Sequence, residues 1–110
     1  MSTIMRSAWL SILVALAAES IAIVPAMAAE DPERVATGRG LARQTCLTCH
    51  AEDATTIKAP GLAAIGAMPS TTELSIKVFL RTSHGNMPNI ILDERQIDAI
   101  AAYILDRGGK

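Results

Sequence analysis

The two cysteines of the 110-residue chain, Cys46 and Cys49, are separated by two residues and are followed directly by His50. This C-x-x-C-H spacing is typical of covalent c-type haem attachment, in which two thiols add to the vinyl groups of one haem as thioethers. The imidazole of the histidine that follows would then lie on one face of the iron. The pattern therefore predicts one haem c, held by both cysteines, with His50 as an axial ligand.

A haem iron needs two axial ligands besides the porphyrin, and the sequence offers a second one at Met87. This methionine lies in the turn-rich run 84–88 and precedes Pro88, whereas a methionine on a helix face is usually part of the core. His84 is the rival, and it would give a bis-imidazole iron of lower potential. The simpler interpretation of His84 is a polar loop residue near the haem edge.

The cysteine pair has three other interpretations, which explain the sequence less well. A zinc site needs four ligands, and beyond the cysteines only His84 and carboxylates are left, because His50 is tied closely to Cys49. A thioredoxin-like redox pair needs a βαβ setting, which the sequence pattern lacks. A structural disulfide suits an oxidising compartment, but it leaves His50 unexplained.

The N-terminal segment has the pattern of an export signal. A positive charge at Arg6 precedes an apolar run, and Ala26-Met27-Ala28 supplies small residues of the kind that a signal peptidase recognises. We therefore expect residues 1–28 to be a signal peptide and the protein to be periplasmic. The alternative is an uncleaved membrane anchor over 8–24, which Glu19 disfavours because a carboxylate within a bilayer is costly.

The remaining residues, 29–110, are expected to form one small domain. Phe79 and Tyr103 are its only aromatic residues, so its core would be thin and would benefit from a covalently held apolar cofactor. The formal net charge of the whole chain is −1, which gives no indication of a nucleic acid or an anionic membrane surface as partner.

Two of three main helices are predicted at the ends of this domain. The first begins at the cap Asp31-Pro32, and Gly38 and Ala42 on one of its faces would let another helix approach closely. The last begins at Asp93 with Gln96 returning the capping hydrogen bond, and it ends at Gly108-Gly109. Its apolar stripe consists of four residues: Ile97, Ile100, Ala101 and Ile104.

The middle helix is expected to begin near Ser70 or Thr71, with Ser70 and Glu73 as a capping box, and to stop by Ser83. Its predicted apolar side is formed by four residues: Leu74, Val78, Phe79 and Leu80. A short additional helix over 62–67 is possible. No segment alternates as a strand does, so the predicted fold class is all-α.

Four runs of the sequence together resemble class I c-type cytochromes, which are small mono-haem electron carriers. Ala36-x-Gly38-x-x-Leu41-Ala42-x-x-x-Cys46-x-x-Cys49-His50 resembles their N-terminal helix and haem motif. Ala59-Pro60-x-Leu62 is similar to the segment whose proline carbonyl accepts a hydrogen bond from the axial histidine. Phe79-Leu80-Arg81 leading to Met87-Pro88 resembles the approach to the axial methionine, and Ile97-x-x-Ile100-x-x-Tyr103-Ile104 resembles the C-terminal helix.

The resemblance implies a cytochrome c fold, with three main helices packed around one covalently bound haem. It implies thioethers at Cys46 and Cys49, and axial ligation by His50 and Met87. The carbonyl oxygen of Pro60 would accept a hydrogen bond from the His50 ring. It also implies a crossing in which Gly38 and Ala42 of the first helix contact the Tyr103 face of the last. Three basic side chains could pair with the haem propionates or could equally be solvated helix surface: Arg43, Lys58 and Arg81.

The expected function is one-electron transfer between Fe(II) and Fe(III), with donor and acceptor redox proteins meeting an exposed haem edge through a small transient interface. An iron with both axial positions occupied has no site for substrate, so we expect a carrier and not an enzyme. Two alternatives stay open: a dedicated cytochrome subunit of a periplasmic dehydrogenase, and a haem enzyme or gas sensor from whose iron Met87 dissociates. A membrane would be involved only if the N-terminal segment stayed as an anchor.

Overall fold

The computed structural model describes residues 30–82 and 84–110, so the expected signal peptide lies outside the described residues. Within these ranges the chain forms four helices and no strand, which confirms the all-α prediction. The helices are α1 (Pro32–Thr45), α2 (Leu62–Ala67), α3 (Glu73–Arg81) and α4 (Glu94–Arg107). None of the helices in this part of the chain is both long enough and apolar enough to cross a bilayer.

The first and last helices begin at the capping residues that the sequence predicts. Asp31 accepts a hydrogen bond of 3.0 Å from the amide of Glu33, and Pro32 occupies the first helical position. Asp93 accepts from the Gln96 amide, and the Gln96 side chain accepts in return from the Asp93 amide, both at 2.9 Å. Both predicted helix starts are therefore confirmed.

The start of α3 differs from the prediction. Its N-cap is Thr72, whose hydroxyl accepts from the Ser75 amide at 3.1 Å, while the Ser75 hydroxyl accepts from the Thr72 amide at 2.9 Å. The predicted box between Ser70 and Glu73 is wrong because the Glu73 carboxylate lies 2.6 Å from Nζ of Lys77, one turn further along the helix. The capping signal was present in the sequence, two residues later than predicted.

Helices α1 and α4 pack closely where Gly38 meets Ala99 and Tyr103. A Cβ atom placed on Gly38 would overlap the Ala99 carbonyl group and lie 2.8 Å from Cβ of Tyr103, so only glycine permits this approach. On the same side of α1, Ala42 is fully buried and belongs to the same apolar core as Tyr103. The predicted contact between α1 and the Tyr103 face of α4 is therefore confirmed.

The short helix α2 lies against the end of α4. A Cβ atom on Gly66 would overlap the carbonyl oxygen of Ile104 and lie 2.9 Å from Cα of Gly108. The side chain of Lys110 then donates hydrogen bonds of 2.7 Å to the carbonyl oxygens of Met68 and Thr71. These contacts fix the segment between α2 and α3 to the end of α4.

The apolar side predicted for α3 is only partly buried. Ile76 is the buried residue of this helix, whereas 71% of Leu74, 50% of Val78 and 56% of Phe79 is exposed. Helical spacing identified an apolar face but could not show what it faces. The structure turns part of that face towards the cavity described below and part towards the surface.

Charged side chains hold α3 beside α4 and α1. Nζ of Lys77 lies 2.7 Å from Asp98 and 2.6 Å from Glu73, and Arg34 lies 3.3 Å from Glu73. The hydrogen bond from Lys77 lowers the pKa of Asp98 and is also the main cause that lowers the pKa of Glu73. Because exposed ion pairs stabilise proteins weakly, the main role of this cluster is to position α3.

Candidate haem site

A cavity of about 470 Å³ lies among α2, α3, α4 and the two loops that carry the predicted axial ligands. Its volume is within the range of cofactor pockets, roughly 300–1,000 Å³. The wall is mostly apolar, and its aliphatic and aromatic members include Leu62, Ile65, Ile76, Phe79, Ile100 and Ile104. A flat apolar macrocycle suits such a wall better than a hydrated polar ligand does.

His50 lies on the wall with its ring held from behind. Its Nδ1 is 2.8 Å from the carbonyl oxygen of Pro60. A carbonyl oxygen only accepts hydrogen bonds, so Nδ1 carries the proton, and Nε2 of the neutral ring has a free lone pair. This tautomer and this type of support are typical of histidines that ligate metals through Nε2.

The two cysteines follow α1 in a tight turn. Cys46 caps the end of α1 and lies on the cavity wall, and its carbonyl accepts hydrogen bonds from the amides of Cys49 at 3.1 Å and His50 at 2.8 Å. Cys49 is not among the wall residues. Both cysteines are free, and burial raises the pKa of the Cys46 thiol. A thiol that resists ionisation fits an apolar attachment point better than a thiol–disulfide exchange site.

The loop between His50 and α2 is closed by its own hydrogen bonds. The Leu62 amide donates to the Ala51 carbonyl at 2.8 Å, and the Thr56 hydroxyl donates to the Cys49 carbonyl at 3.0 Å. The loop therefore returns to its starting point, which places the Pro60 carbonyl beside the His50 ring. This explains how residues ten positions apart in sequence meet in the site.

Tyr103 fixes the same loop from the side of α4. Its ring is fully buried under the guanidinium of Arg39, at 5.8 Å from the ring centroid, and its hydroxyl donates to the Glu52 carboxylate. Next to it, Arg107 pairs with Asp53. Burial, with a further contribution from Glu52, raises the pKa of Tyr103 from 10.0 to about 12. This clamp joins the loop that carries Pro60 to the α1–α4 core.

We expect Tyr103→Phe to lower the free energy of unfolding at neutral pH by about 2 kcal/mol, because it removes a hydrogen bond to a charged acceptor and leaves Glu52 without it. The pKa is raised in the folded state, so the contribution of Tyr103 is complete below pH 10 and is lost as the pH rises through about 12. Urea unfolding of the haem-loaded protein between pH 7 and pH 12 measures both effects.

The matched control for Tyr103→Phe is Glu52→Gln, which keeps a hydrogen-bond acceptor but removes its charge. It should cost less stability at neutral pH than Tyr103→Phe does, and it should keep part of the alkaline decline, since burial is the larger cause of the raised pKa. An alkaline decline that is equally steep in Tyr103→Phe and in the wild type would contradict the assignment to this phenol.

The cavity wall also carries three further possible axial ligands. Met87 and His84 lie on the wall, and the Met87 amide donates to the His84 carbonyl at 3.1 Å. Met68 also lies on the wall, and sequence reasoning missed it. The signal was available, because Met68 precedes Pro69 just as Met87 precedes Pro88.

The three basic residues considered for the propionates are not among the wall residues. Arg81 pairs with Glu94 instead, and Arg43 and Lys58 are exposed. Besides the two histidines, the wall has three hydroxyl residues that sequence reasoning did not place in the site: Ser70, Thr71 and Ser75. The residues present fit a haem, since the wall of one apolar cavity carries a cysteine, an oriented imidazole and thioethers.

An all-α fold around such a cavity, with a C-x-x-C-H motif at its wall, defines a class I c-type cytochrome. Residues 33–104 match the family model described as cytochrome C oxidase, cbb3-type, subunit III, and the chain belongs to this family of c-type cytochrome domains. Domains of this kind bind haem c covalently, and Cys46, Cys49 and His50 fit the attachment motif. The resemblance stated from the sequence is confirmed.

One curated relative is cytochrome c-551 of Bacillus subtilis (strain 168). It is 27% identical over 70 residues, which are 64% of this chain. The match covers 61% of the relative's own length. The chain therefore spans less than two thirds of the length of this curated relative. No solved structure matches the chain.

Proposed function

We propose that the protein is an exported one-electron carrier in which Cys46 and Cys49 hold haem c and His50 and Met87 are its axial ligands. The observation that carries this proposal is the position of an oriented His50 and of Met87 on the wall of one apolar cavity. When bound, the haem supplies a reversible couple between Fe(II) and Fe(III). The chain orients the axial ligands, excludes water from the haem and makes one of the two oxidation states more stable.

Each of these contributions has a structural source in the described residues. The Pro60 carbonyl holds the His50 ring, so the imidazole keeps one orientation in both oxidation states. The apolar wall disfavours the extra charge of the oxidised centre, and a thioether ligand at Met87 acts in the same direction, so both raise the reduction potential. With both axial positions taken, substrate has no place to bind at the metal.

Export and partners complete the proposal. The charge, apolar run and small residues of 1–28 support a signal peptide, which would leave 29–110 as a periplasmic cytochrome domain. Covalent haem attachment takes place outside the cytoplasm in bacteria, so the motif and the export signal support each other. Donor and acceptor proteins would meet the protein through a small transient interface, as electron-transfer partners do.

We expect Met87→Ala to remove the far-red absorption band of methionine-ligated ferric haem. We also expect it to lower the reduction potential by on the order of 0.1 V, within the roughly 0.8 V range that axial ligands set. Met68→Leu, a change at the other Met-Pro dipeptide, should keep the band. Absorption spectra and redox titration of the purified proteins measure both effects.

Two results would contradict the Met87 assignment. One is the absence of the far-red band from the wild type, and the other is its survival in Met87→Ala. Ready binding of carbon monoxide by the ferrous wild type would instead favour a haem enzyme or gas sensor with an open iron. A pyridine haemochrome assay on each sample establishes that covalent haem is present.

A permanent subunit of a larger redox enzyme, such as a periplasmic dehydrogenase, is the second candidate function. The exposed Leu74 and Val78 on α3 favour it, because adjacent apolar side chains on a surface mark interaction sites more often than isolated ones do. The matched family model is also named for an oxidase subunit. Copurification of the full chain with such an enzyme distinguishes this candidate from a free carrier, which would be isolated as a monomer.

A further inference from the structure

His84 lies on the wall of the same cavity as His50, and its ring is held in a comparable way. Its Nδ1 is 3.1 Å from the carbonyl oxygen of Thr82, as Nδ1 of His50 is 2.8 Å from that of Pro60. Since a carbonyl oxygen only accepts, Nδ1 carries the proton and Nε2 of the neutral ring has a free lone pair. The cavity therefore holds two imidazoles in the tautomer that ligates metals through Nε2.

The plane of the His84 ring is also restrained. It meets the ring of Phe79 edge to face, with centroids 5.2 Å apart and an angle of 87° between the planes. Phe79 is itself a wall residue. An aromatic contact and a hydrogen bond together pre-orient the imidazole, which lowers the entropic cost of ligation. A histidine that served only as a polar surface residue would not need the contact with Phe79 or the hydrogen bond to Thr82.

One turn carries both His84 and Met87. The Met87 amide donates to the His84 carbonyl at 3.1 Å, and Gly85 between them has a φ of +51°, a conformation that glycine adopts readily. The turn presents an imidazole and a thioether to one cavity. With His50 at one axial position, as proposed above, only one of the two could ligate the iron at a time.

We propose that His84 is a reserve axial ligand that replaces Met87 whenever the thioether leaves the iron. The inference rests on the proposed function, in which haem c is bound with His50 as the other axial ligand. In this exchange an iron–sulfur bond would break and an iron–nitrogen bond through Nε2 of His84 would form. Loss of Met87 ligation then yields a six-coordinate carrier of lower potential and not an open, gas-binding haem.

The experiment compares Met87→Ala with the double variant Met87→Ala/His84→Ala, each purified as the full haem-loaded protein. Ferric Met87→Ala should be low-spin, with the electron paramagnetic resonance and near-infrared bands of bis-imidazole ligation, and the double variant should lose them. Ferrous Met87→Ala should bind carbon monoxide at least about tenfold more weakly than the double variant, because its iron is open only a small fraction of the time. Added imidazole should restore the low-spin spectrum of the double variant.

A high-spin Met87→Ala that binds carbon monoxide as tightly as the double variant would overturn the inference. So would a far-red band that persists in Met87→Ala, since it would show a thioether and not His84 on the iron and would contradict the Met87 assignment as well. If Met87→Ala does not accumulate, Met87→Leu, which keeps the side-chain volume, is compared with Met87→Leu/His84→Ala in the same way. Failure of the proposed function is distinct, because it shows in the wild type as missing covalent haem or a missing far-red band.

Discussion

Gly38→Ala is expected to lower the free energy of unfolding by about 3 kcal/mol, at the upper end of typical overpacking costs. The added methyl group would overlap the Ala99 carbonyl, which belongs to the backbone of α4 and cannot rotate away. Tyr103, whose Cβ would be 2.8 Å from the new atom, is fully buried and has no free space to move into. The two helices must therefore separate. Chemical denaturation of the haem-loaded protein measures the change.

Gly40→Ala is the matched control on the same helix. Apart from its chain neighbours and the backbone of its own helix, no atom of the described residues lies within 4 Å of a Cβ placed there, and alanine favours the helix over glycine by about 1 kcal/mol. This variant should therefore be equal to the wild type or up to about 1 kcal/mol more stable. Equal stability of Gly38→Ala and Gly40→Ala would contradict the close packing of α1 on α4.

The bounds of helix α4 could be predicted because independent local signals agreed. Asp93 and Gln96 mark its start, apolar residues at helical spacing mark its buried face, and Gly108 marks its end. The α1–α4 contact was predictable for a related reason, since small residues at Gly38 and Ala42 predict a close approach of some helix. The resemblance to a known family then identified which helix that was.

Helix α3 shows where such reasoning fails. Ser70 and Thr72 both fit a capping pattern, and the choice between them depends on Lys77, which holds Glu73 and also reaches Asp98 on another helix. The contact between Lys77 and Asp98 joins two helices and exists only in the folded protein. The apolar residues of α3 were misjudged for the same reason, because periodicity cannot separate a core face from a surface or cofactor face.

The candidate site also contains residues that local sequence could predict and residues that it could not. The attachment motif is local, so Cys46, Cys49 and His50 could be identified from spacing alone. The clamp between Tyr103 and Glu52 joins residues 51 positions apart, and no local pattern predicts it. Met68 lies on the cavity wall because α2 lies against α4. Its Met-Pro dipeptide therefore indicates a possible ligand only once the tertiary packing is known.

The double variant Cys46→Ala/Cys49→Ala is expected to lose covalent haem and, with it, the fold described above. Without its occupant, an apolar cavity of about 470 Å³ leaves its wall atoms without packing partners and exposes them to water. The whole stability of a domain is roughly 5–15 kcal/mol. A domain with so few aromatic residues therefore has little stability left once the cofactor is gone.

Extraction with acidified acetone and a pyridine haemochrome assay measure attachment, and circular dichroism during heating measures the fold. The single variants Cys46→Ala and Cys49→Ala should each keep one thioether, an intermediate haemochrome spectrum and most of the helical signal. Because Cys46 lies on the cavity wall and Cys49 does not, Cys46→Ala should be the less stable of the two. A double variant that unfolds at the wild-type temperature without haem would show that the helices hold the cavity open by themselves.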